Sequence, residues 1–229
     1  MVIAMKRHEL LQLYADGNRN FAQINLGQIN LRYINISNAD LWKANLCQAD
    51  LTGANLKNTD LSGADLWKAK LSNANLTESN LARADLTEAN LQEAMLVKAN
   101  LCESNLAGSI LLRANLSESN LAEAMLMGAN LSAANLSAAN LSGVNLVGGI
   151  LLETNLNRAN LAGVDLTGAY LMNVNFNHAN LDGAIMPDGN IWEESEYFSQ
   201  SSKWSEINLS SEDLVFTSSN KFIDFSAYA

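Results

Sequence analysis

Few residues in this chain have side chains suited to catalysis or metal binding, and they lie far apart in the sequence. Its 229 residues include two histidines, His8 and His178, and two cysteines, Cys47 and Cys102. A structural zinc site needs about four such ligands at short spacings, and no CxxC or HExxH motif occurs. The many serines stand in no GxSxG motif and have no histidine base. We therefore expect no enzyme, no metal site and no cofactor.

The chain is instead organised by a spacing of five residues. Stepping from Phe21 to Leu181 gives 33 positions without a slip, and every one is Leu except Phe21, Ile36 and Phe176. Ala usually stands two residues before each position, and Asn or Asp stands directly before it. The exceptions to this Asn or Asp are Lys70, Met95, Ile110, Met125, Ile150 and Tyr170. Such internal repetition decides the architecture before any other pattern.

A period of five fits neither a straight helix nor a long strand. At roughly 100° per residue, a five-residue step would scatter the Leu side chains around a helix. In a strand the side chains alternate, so an odd step would send successive Leu to opposite faces. A chain that turns a corner every five residues keeps each Leu inside, and its coils stack about 4.8 Å apart. The pattern thus predicts an all-β solenoid. Thr59 and Ser79 would stack in a 20-residue coil, which hints at four pentads per coil.

The tandem A(D/N)LXX pattern, as in ADLTEANLQEA (84–94) and ANLSGVNL (139–146), resembles the pentapeptide-repeat family across residues 20–186. The opening ELLQLYADGNRNF and the closing DGAIMPDG also resemble the ends of cyanobacterial members. The resemblance implies a right-handed quadrilateral β-helix of about eight coils over residues 21–186. It further implies a non-catalytic protein-interaction scaffold, with a regulatory role among the functions that it permits.

The N-terminal segment, residues 1–20, is predicted to close the first end of the solenoid with a short α-helix over residues 3–15. Ile3, Leu10, Leu11 and Tyr14 would share its apolar side, and Gly17 would terminate it. An uncovered end would expose unpaired backbone groups that other chains could bind. The helix is therefore interpreted as a cap.

The last segment, residues 187–229, differs from the repeats because it is acidic and rich in serine and aromatic residues. Disordered segments usually have few aromatic side chains. Two interpretations remain open at this point. The tail folds over the C-terminal end of the solenoid, or it is a mobile segment that captures a partner.

Location is inferred from what the sequence lacks. The start, MVIAMKRHELLQLY, has no continuous apolar core of the kind that a signal peptide needs. No stretch reaches about 18 apolar residues, so no membrane span is expected. Cys47 and Cys102 are interpreted as reduced thiols. Together these observations favour a cytoplasmic protein that does not associate with a membrane.

The net charge of −10 raises the hypothesis of DNA mimicry, because the pentapeptide-repeat resemblance includes acidic β-helices that occupy the DNA site of gyrase. Residues 21–185 contain 14 acids and nine Lys or Arg, so the repeats are only weakly acidic. Glu78, Lys98 and Glu118 would alternate in a 20-residue coil. A phosphate mimic needs sustained rows of one sign. A DNA-mimicking inhibitor or protector of a topoisomerase is therefore the alternative function, and direct nucleic-acid binding is not favoured.

Apolar residues at outward positions suggest a different surface. With a 20-residue coil, Ile150 would stack with Tyr170 and Leu152 with Met172, while Met127 and Val147 would lie on the neighbouring face. Exposed apolar clusters often mark contacts between proteins. Cover by the tail and neutral drift of the repeat are the other interpretations. The predicted interaction patch, for an unidentified protein partner or for a homodimer, consists of Ile150, Leu152, Tyr170, Met172, Met127 and Val147.

Overall fold

The computed structural model describes residues 5–192. The residue before each repeated Leu forms a parallel β-bridge with the residue 20 positions later, from Asn20↔Asp40 to Asp165↔Ile185. These bridges are isolated, and residues 5–192 contain no longer strand. One coil therefore contains four pentads. The repeats form a parallel β-solenoid of about eight coils, roughly 40 Å long at the spacing of paired strands.

Each coil has four faces, which we number in chain order. Face 1 begins with Phe21, face 2 with Leu26, face 3 with Leu31 and face 4 with Ile36, and each continues at intervals of 20 residues. The repeated Leu side chains fill the interior, and those between Leu31 and Leu166 are fully buried. The small residues two positions earlier, mostly Ala, are buried beside them. The predicted inward columns are thus confirmed.

Six of these small positions carry a hydroxyl group, and a backbone carbonyl satisfies five of them, with Ser109 the exception among the described residues. The Thr59 hydroxyl donates to the Leu56 carbonyl at 2.6 Å, and the Ser79 hydroxyl donates to the Leu76 carbonyl at 2.7 Å. A buried hydroxyl without such a partner costs free energy, so this local bond explains why Ser and Thr can replace Ala inside.

The corners between faces use a left-handed backbone. The second residue after each repeated Leu has a positive φ, and 24 of these residues are not glycine. This conformation costs roughly 1–2 kcal/mol for an L-residue. The Asn or Asp before the Leu offsets part of that cost, because its side-chain oxygen accepts the backbone N–H of the residue two positions later. The Trp42 N–H, for example, donates to the Asp40 Oδ1 at 2.9 Å.

The N-terminal helix, α1, spans Arg7–Ala15. The prediction that it begins at residue 3 is wrong, because the Met5 N–H instead donates to the Asn25 carbonyl of the first coil at 3.2 Å. Leu10 is fully buried, but Leu11 is 37% exposed and does not share the buried side as predicted. Gly17 follows the helix with φ +91°, and its N–H donates to the Tyr14 carbonyl, so its predicted role as helix terminator is confirmed.

The segment around α1 supplies donors to the open edge of the first coil. The Arg7 guanidinium donates to the carbonyls of Asn30 at 3.0 Å and Arg32 at 3.1 Å. The Tyr14 hydroxyl donates to the Ser37 carbonyl at 2.9 Å. Together with the Met5 N–H, these groups satisfy carbonyls that face away from the rest of the solenoid.

At the other end the chain reverses direction after Pro187. Ile191 forms an antiparallel bridge with Ile185. The Met186 N–H donates to the Asn190 carbonyl at 2.8 Å, and the Trp192 N–H donates to the Ala184 carbonyl at 2.7 Å. Residues 193–229, most of the predicted tail, lie outside the described residues, as does Ile3. In the described part of the chain, no helix is long and apolar enough to cross a membrane.

Candidate protein-interaction surface

The residues that could do chemistry remain apart in the fold. Within residues 5–192, no three His, Cys, Asp or Glu side chains are grouped so that they could hold a metal ion. Cys47 lies on face 2 and Cys102 on face 1, and neither is in a disulfide. Burial raises the pKa of the Cys47 thiol, which keeps it in its less nucleophilic protonated form.

Faces 1 and 4 present ladders of asparagine. On face 1, Asn100 donates to Asn80 at 3.0 Å and Asn140 donates to Asn120 at 3.0 Å through side-chain amides of adjacent coils. On face 4, Asn155 donates to Asn135 at 3.0 Å. Because each amide donates one hydrogen bond to the preceding coil and accepts one from the next, these columns satisfy part of their own hydrogen-bonding capacity. They offer a hydrated surface with no feature that points to a partner.

The non-Asn/Asp exceptions are not distributed evenly over the faces. Four of the six, Lys70, Ile110, Ile150 and Tyr170, lie on face 3. Met125 lies on face 2 and Met95 on face 4. Neutral drift would place substitutions on all faces without preference, so this concentration favours a functional surface on face 3.

The 20-residue register places the six predicted patch residues on the adjacent faces 2 and 3 of neighbouring coils. Ile150 and Tyr170 form a β-bridge, and burial raises the pKa of the Tyr170 phenol. Leu152 and Met172 follow these two residues on face 3, and all four are half-buried. On face 2, Met127 is 49% exposed, and Val147 occupies the equivalent position one coil later, half-buried. We call these six residues the apolar edge: Met127, Val147, Ile150 and Tyr170 flank the corner between faces 2 and 3, and Leu152 and Met172 continue the apolar surface across face 3.

Sequence reasoning missed what occupies that corner. It is glycine in four consecutive coils, at Gly108, Gly128, Gly148 and Gly168. A Cβ atom at Gly128, Gly148 or Gly168 would meet nothing within 4 Å. The backbone does not demand glycine either, since 24 other residues adopt the same positive φ. These glycines therefore remove side chains from the corner and leave a bare backbone ridge between two apolar faces. Their 20-residue spacing is visible in the sequence once the coil length is known.

Six ion pairs join charged side chains of successive coils, and they engage six of the nine Lys or Arg and six of the 14 acids of residues 21–185. Lys98 and Glu118 are paired as predicted at 3.5 Å, but Glu78 pairs with Lys57 at 3.5 Å instead of extending that column. The remaining ion pairs between coils are Arg32–Asp50, Lys68–Glu88, Arg83–Glu103 and Arg113–Glu93. The surface thus lacks long rows of a single sign in the described coils.

Comparison with protein families gives a match to pentapeptide repeats, in eight copies within residues 29–67, 69–108, 96–132, 109–148 and 150–186. No curated protein sequence matches. Three solved structures are similar to this chain at different levels of sequence identity. HetL, a pentapeptide repeat protein involved in heterocyst differentiation regulation from the cyanobacterium Nostoc sp. strain PCC 7120, is 36% identical, with 82% of this chain and 100% of HetL covered and a TM-score of 0.31.

The second, the pentapeptide repeat protein Rfr23 from the cyanobacterium Cyanothece 51142, is 36% identical over 41% of this chain and 64% of its own, with a TM-score of 0.39. The third is full-length QnrB1, a plasmid-mediated fluoroquinolone resistance protein. It is 17% identical over 80% of this chain and 98% of its own, with a TM-score of 0.35.

Proposed function

The chain belongs to the pentapeptide-repeat family, and from this premise we propose that it is a non-catalytic scaffold that binds a partner protein through the apolar edge. The proposal includes a right-handed, four-sided β-helix and a cytoplasmic location. The observation that carries it is the concentration of outward apolar residues on faces 2 and 3, beside a corner that consists of glycine. Exposed apolar surface of this kind is characteristic of protein contacts.

The shape of the apolar edge defines the shape of the partner. Met127 and Ile150 lie on adjacent faces and project in different directions from the corner that Gly128 and Gly148 occupy. A flat partner would contact one face at a time. A partner with a cleft would contact both faces at once, and the bare ridge would lie at the base of the cleft. We therefore propose that the solenoid inserts its edge into an apolar cleft.

The alternative, a DNA-mimicking inhibitor or protector of a topoisomerase, has less support. A mimic of the phosphate backbone requires acids that remain unneutralised along the surface. Here Lys68, Arg83 and Lys98 each pair with a glutamate on the next coil. Such ladders reduce the field that a DNA-binding protein would recognise.

Charge placed on the apolar edge should abolish binding without unfolding the solenoid. We expect Leu152→Glu with Met172→Glu to weaken partner binding by at least about 100-fold, because a carboxylate must be desolvated in an apolar contact. The matched control is Ser137→Glu with Asn157→Glu, at equivalent positions of face 4 one coil apart. Affinity capture from extracts of the source organism, with each variant beside the unmodified chain, measures partner recovery.

Molar mass by light scattering, recorded on the same samples, separates a foreign partner from a second copy of the chain. A dimer that the Leu152→Glu and Met172→Glu variant converts to monomer would identify the homodimer. Equal partner recovery and equal mass in all three proteins would refute the apolar edge as a binding surface.

A side chain added to the glycine corner should block a partner that reaches the ridge. We expect Gly148→Lys to lower partner affinity about 10-fold, equivalent to about 1.4 kcal/mol. The control is Gly163→Lys on the corner between faces 1 and 2, because both glycines have φ near +65° and open space at Cβ. Both variants should lose about 1 kcal/mol of stability from the left-handed backbone. A partner whose titration is unaffected by Gly148→Lys does not reach the ridge.

A further inference from the structure

The two ends of the solenoid differ in how their backbone groups are satisfied. At the first coil the outward groups are the carbonyls of the residues directly before and after each repeated Leu and the N–H of the residue before it, and α1 with its flanking residues supplies donors to four of these carbonyls. At the last coil the outward groups follow a regular pattern. On each face they are the N–H groups of the repeated residue and of the second residue after it, and the carbonyl of the residue two positions before it, as the bonds of the preceding coils show.

On face 2 of the last coil, the N–H of the repeated residue and the carbonyl two positions before it are both paired. The Met186 N–H donates to the Asn190 carbonyl, and the Ala184 carbonyl accepts the Trp192 N–H. The partner is the chain itself, which has turned back and runs antiparallel beneath Ile185. The other three faces repeat the same pair of groups, but residues 5–192 provide them with no hydrogen-bond partner. These are the N–H groups of Leu171, Phe176 and Leu181 and the carbonyls of Ala169, Val174 and Ala179.

The interior at this end is also incompletely covered by the described residues. Leu171 and Leu181 are 7% and 6% exposed, whereas the repeated Leu residues of the central coils are 0% exposed. Phe176, Val174 and Ala179 are only partly buried. An edge with regularly spaced donors and acceptors above partly exposed apolar side chains requires an extended backbone with apolar residues as its cover.

We propose that residues 193–229 of the same chain close this C-terminal edge by antiparallel strand addition along faces 1, 4 and 3. The described chain ends beneath face 2 and already runs in the direction that leads next to face 1. The three open faces comprise 15 residues, and 37 residues follow Trp192 in the chain. This length suffices at about 3.3 Å per extended residue.

Composition supports the same occupant. Residues 193–229 contain Tyr197, Phe198 and Trp204 and the apolar runs LVF (214–216) and FIDF (222–225), which suit β-structure and cover of a core. A second copy joined head to tail would need the carbonyls of the first coil, and those of Asn30, Arg32 and Ser37 already accept bonds from α1. Residues 193–229 are thus the occupant that the hydrogen bonding at both ends of the solenoid supports.

The test is amide hydrogen exchange in the intact protein, read at Leu171, Phe176 and Leu181. We expect exchange at these amides to be at least about 100-fold slower than at an unprotected amide. This protection should be equal at low and high protein concentration. A second sample carries a specific protease site inserted after Glu194 and is cleaved after folding, with the uncleaved insertion as control. Removal of the tail should restore fast exchange at the three amides and leave Leu111 protected.

Two results would overturn the proposal. Fast exchange at the three amides in the intact chain would show that nothing closes the edge. Protection that rises with concentration or survives removal of the tail would show that a second copy closes it. If the cleaved tail stays bound, the cleaved sample is replaced by the full chain with Tyr197→Ser, Phe198→Ser and Trp204→Ser. In this variant the amides of Leu171, Phe176 and Leu181 should lose their protection from exchange. None of these outcomes depends on the apolar edge or its partner.

Discussion

Leu111→Ala is expected to lower the free energy of unfolding by about 2–5 kcal/mol, whereas Leu112→Ala should lower it by less than about 1 kcal/mol. The two residues are of the same type and adjacent in sequence. Leu111 is 0% exposed in the central column, and Leu112 projects from face 3 and is only half-buried. Removing buried methyl groups leaves a cavity that the stacked coils above and below cannot close without shifting their bridges.

Thermal or denaturant unfolding of the two variants, followed by circular dichroism, measures this difference. Because each coil contacts only its neighbours, loss of one central coil should also weaken the coupling between the two halves. Equal destabilisation by the two substitutions would contradict the inward placement of the repeated Leu.

The second large effect is expected at the N-terminal end. Leu10→Asp should destabilise the protein by about 3 kcal/mol or more, because an unpaired carboxylate would replace a fully buried side chain. The helix would leave the first coil instead of burying that charge. Arg7 and Tyr14 would then no longer donate to the carbonyls of the first coil. An edge opened in this way is a template for pairing with other chains, so we also expect association.

Leu13→Asp is the matched control, since Leu13 belongs to the same helix but is 37% exposed. It should remain monomeric in any condition in which the unmodified chain is monomeric. Light scattering measures the mass, and amide exchange at Asp16 and Asn18, whose N–H groups bond within the helix end, measures detachment of α1. A Leu10→Asp variant with unchanged mass and unchanged exchange would show that α1 does not cap the edge.

The sequence predicted the interior well because a five-residue period leaves few solutions. The inward Leu columns and the stacking of Thr59 with Ser79 follow from the period and a 20-residue coil, and the structure confirms both. The start of α1 was predicted wrongly, because the bond from Met5 to Asn25 that displaces it is a contact between distant residues. Helix patterns alone do not report such contacts.

The candidate surface was predicted only in part for a related reason. Ile150 and Leu152 are conspicuous because they break the repeat locally. Gly128 and Gly148 are each ordinary within their own pentads, and their alignment becomes visible only when the coil length is fixed. The pairing of Glu78 with Lys57 was missed because long side chains at corners reach positions that are 21 residues apart, beyond the simple 20-residue register.

The 20-residue register has a consequence for how such a chain can change its length during evolution. A duplication of 20 residues would add one coil and leave every face aligned, so the apolar edge would only become longer. A duplication of five residues, inserted between Met127 and Val147, would preserve every inward Leu and every corner. It would also rotate all later residues by one face, so that Ile150 and Leu152 moved to face 4 and Val147 to face 3. The gene could thus gain a pentad with its folding preserved while the recognition surface was divided between different sides of the molecule.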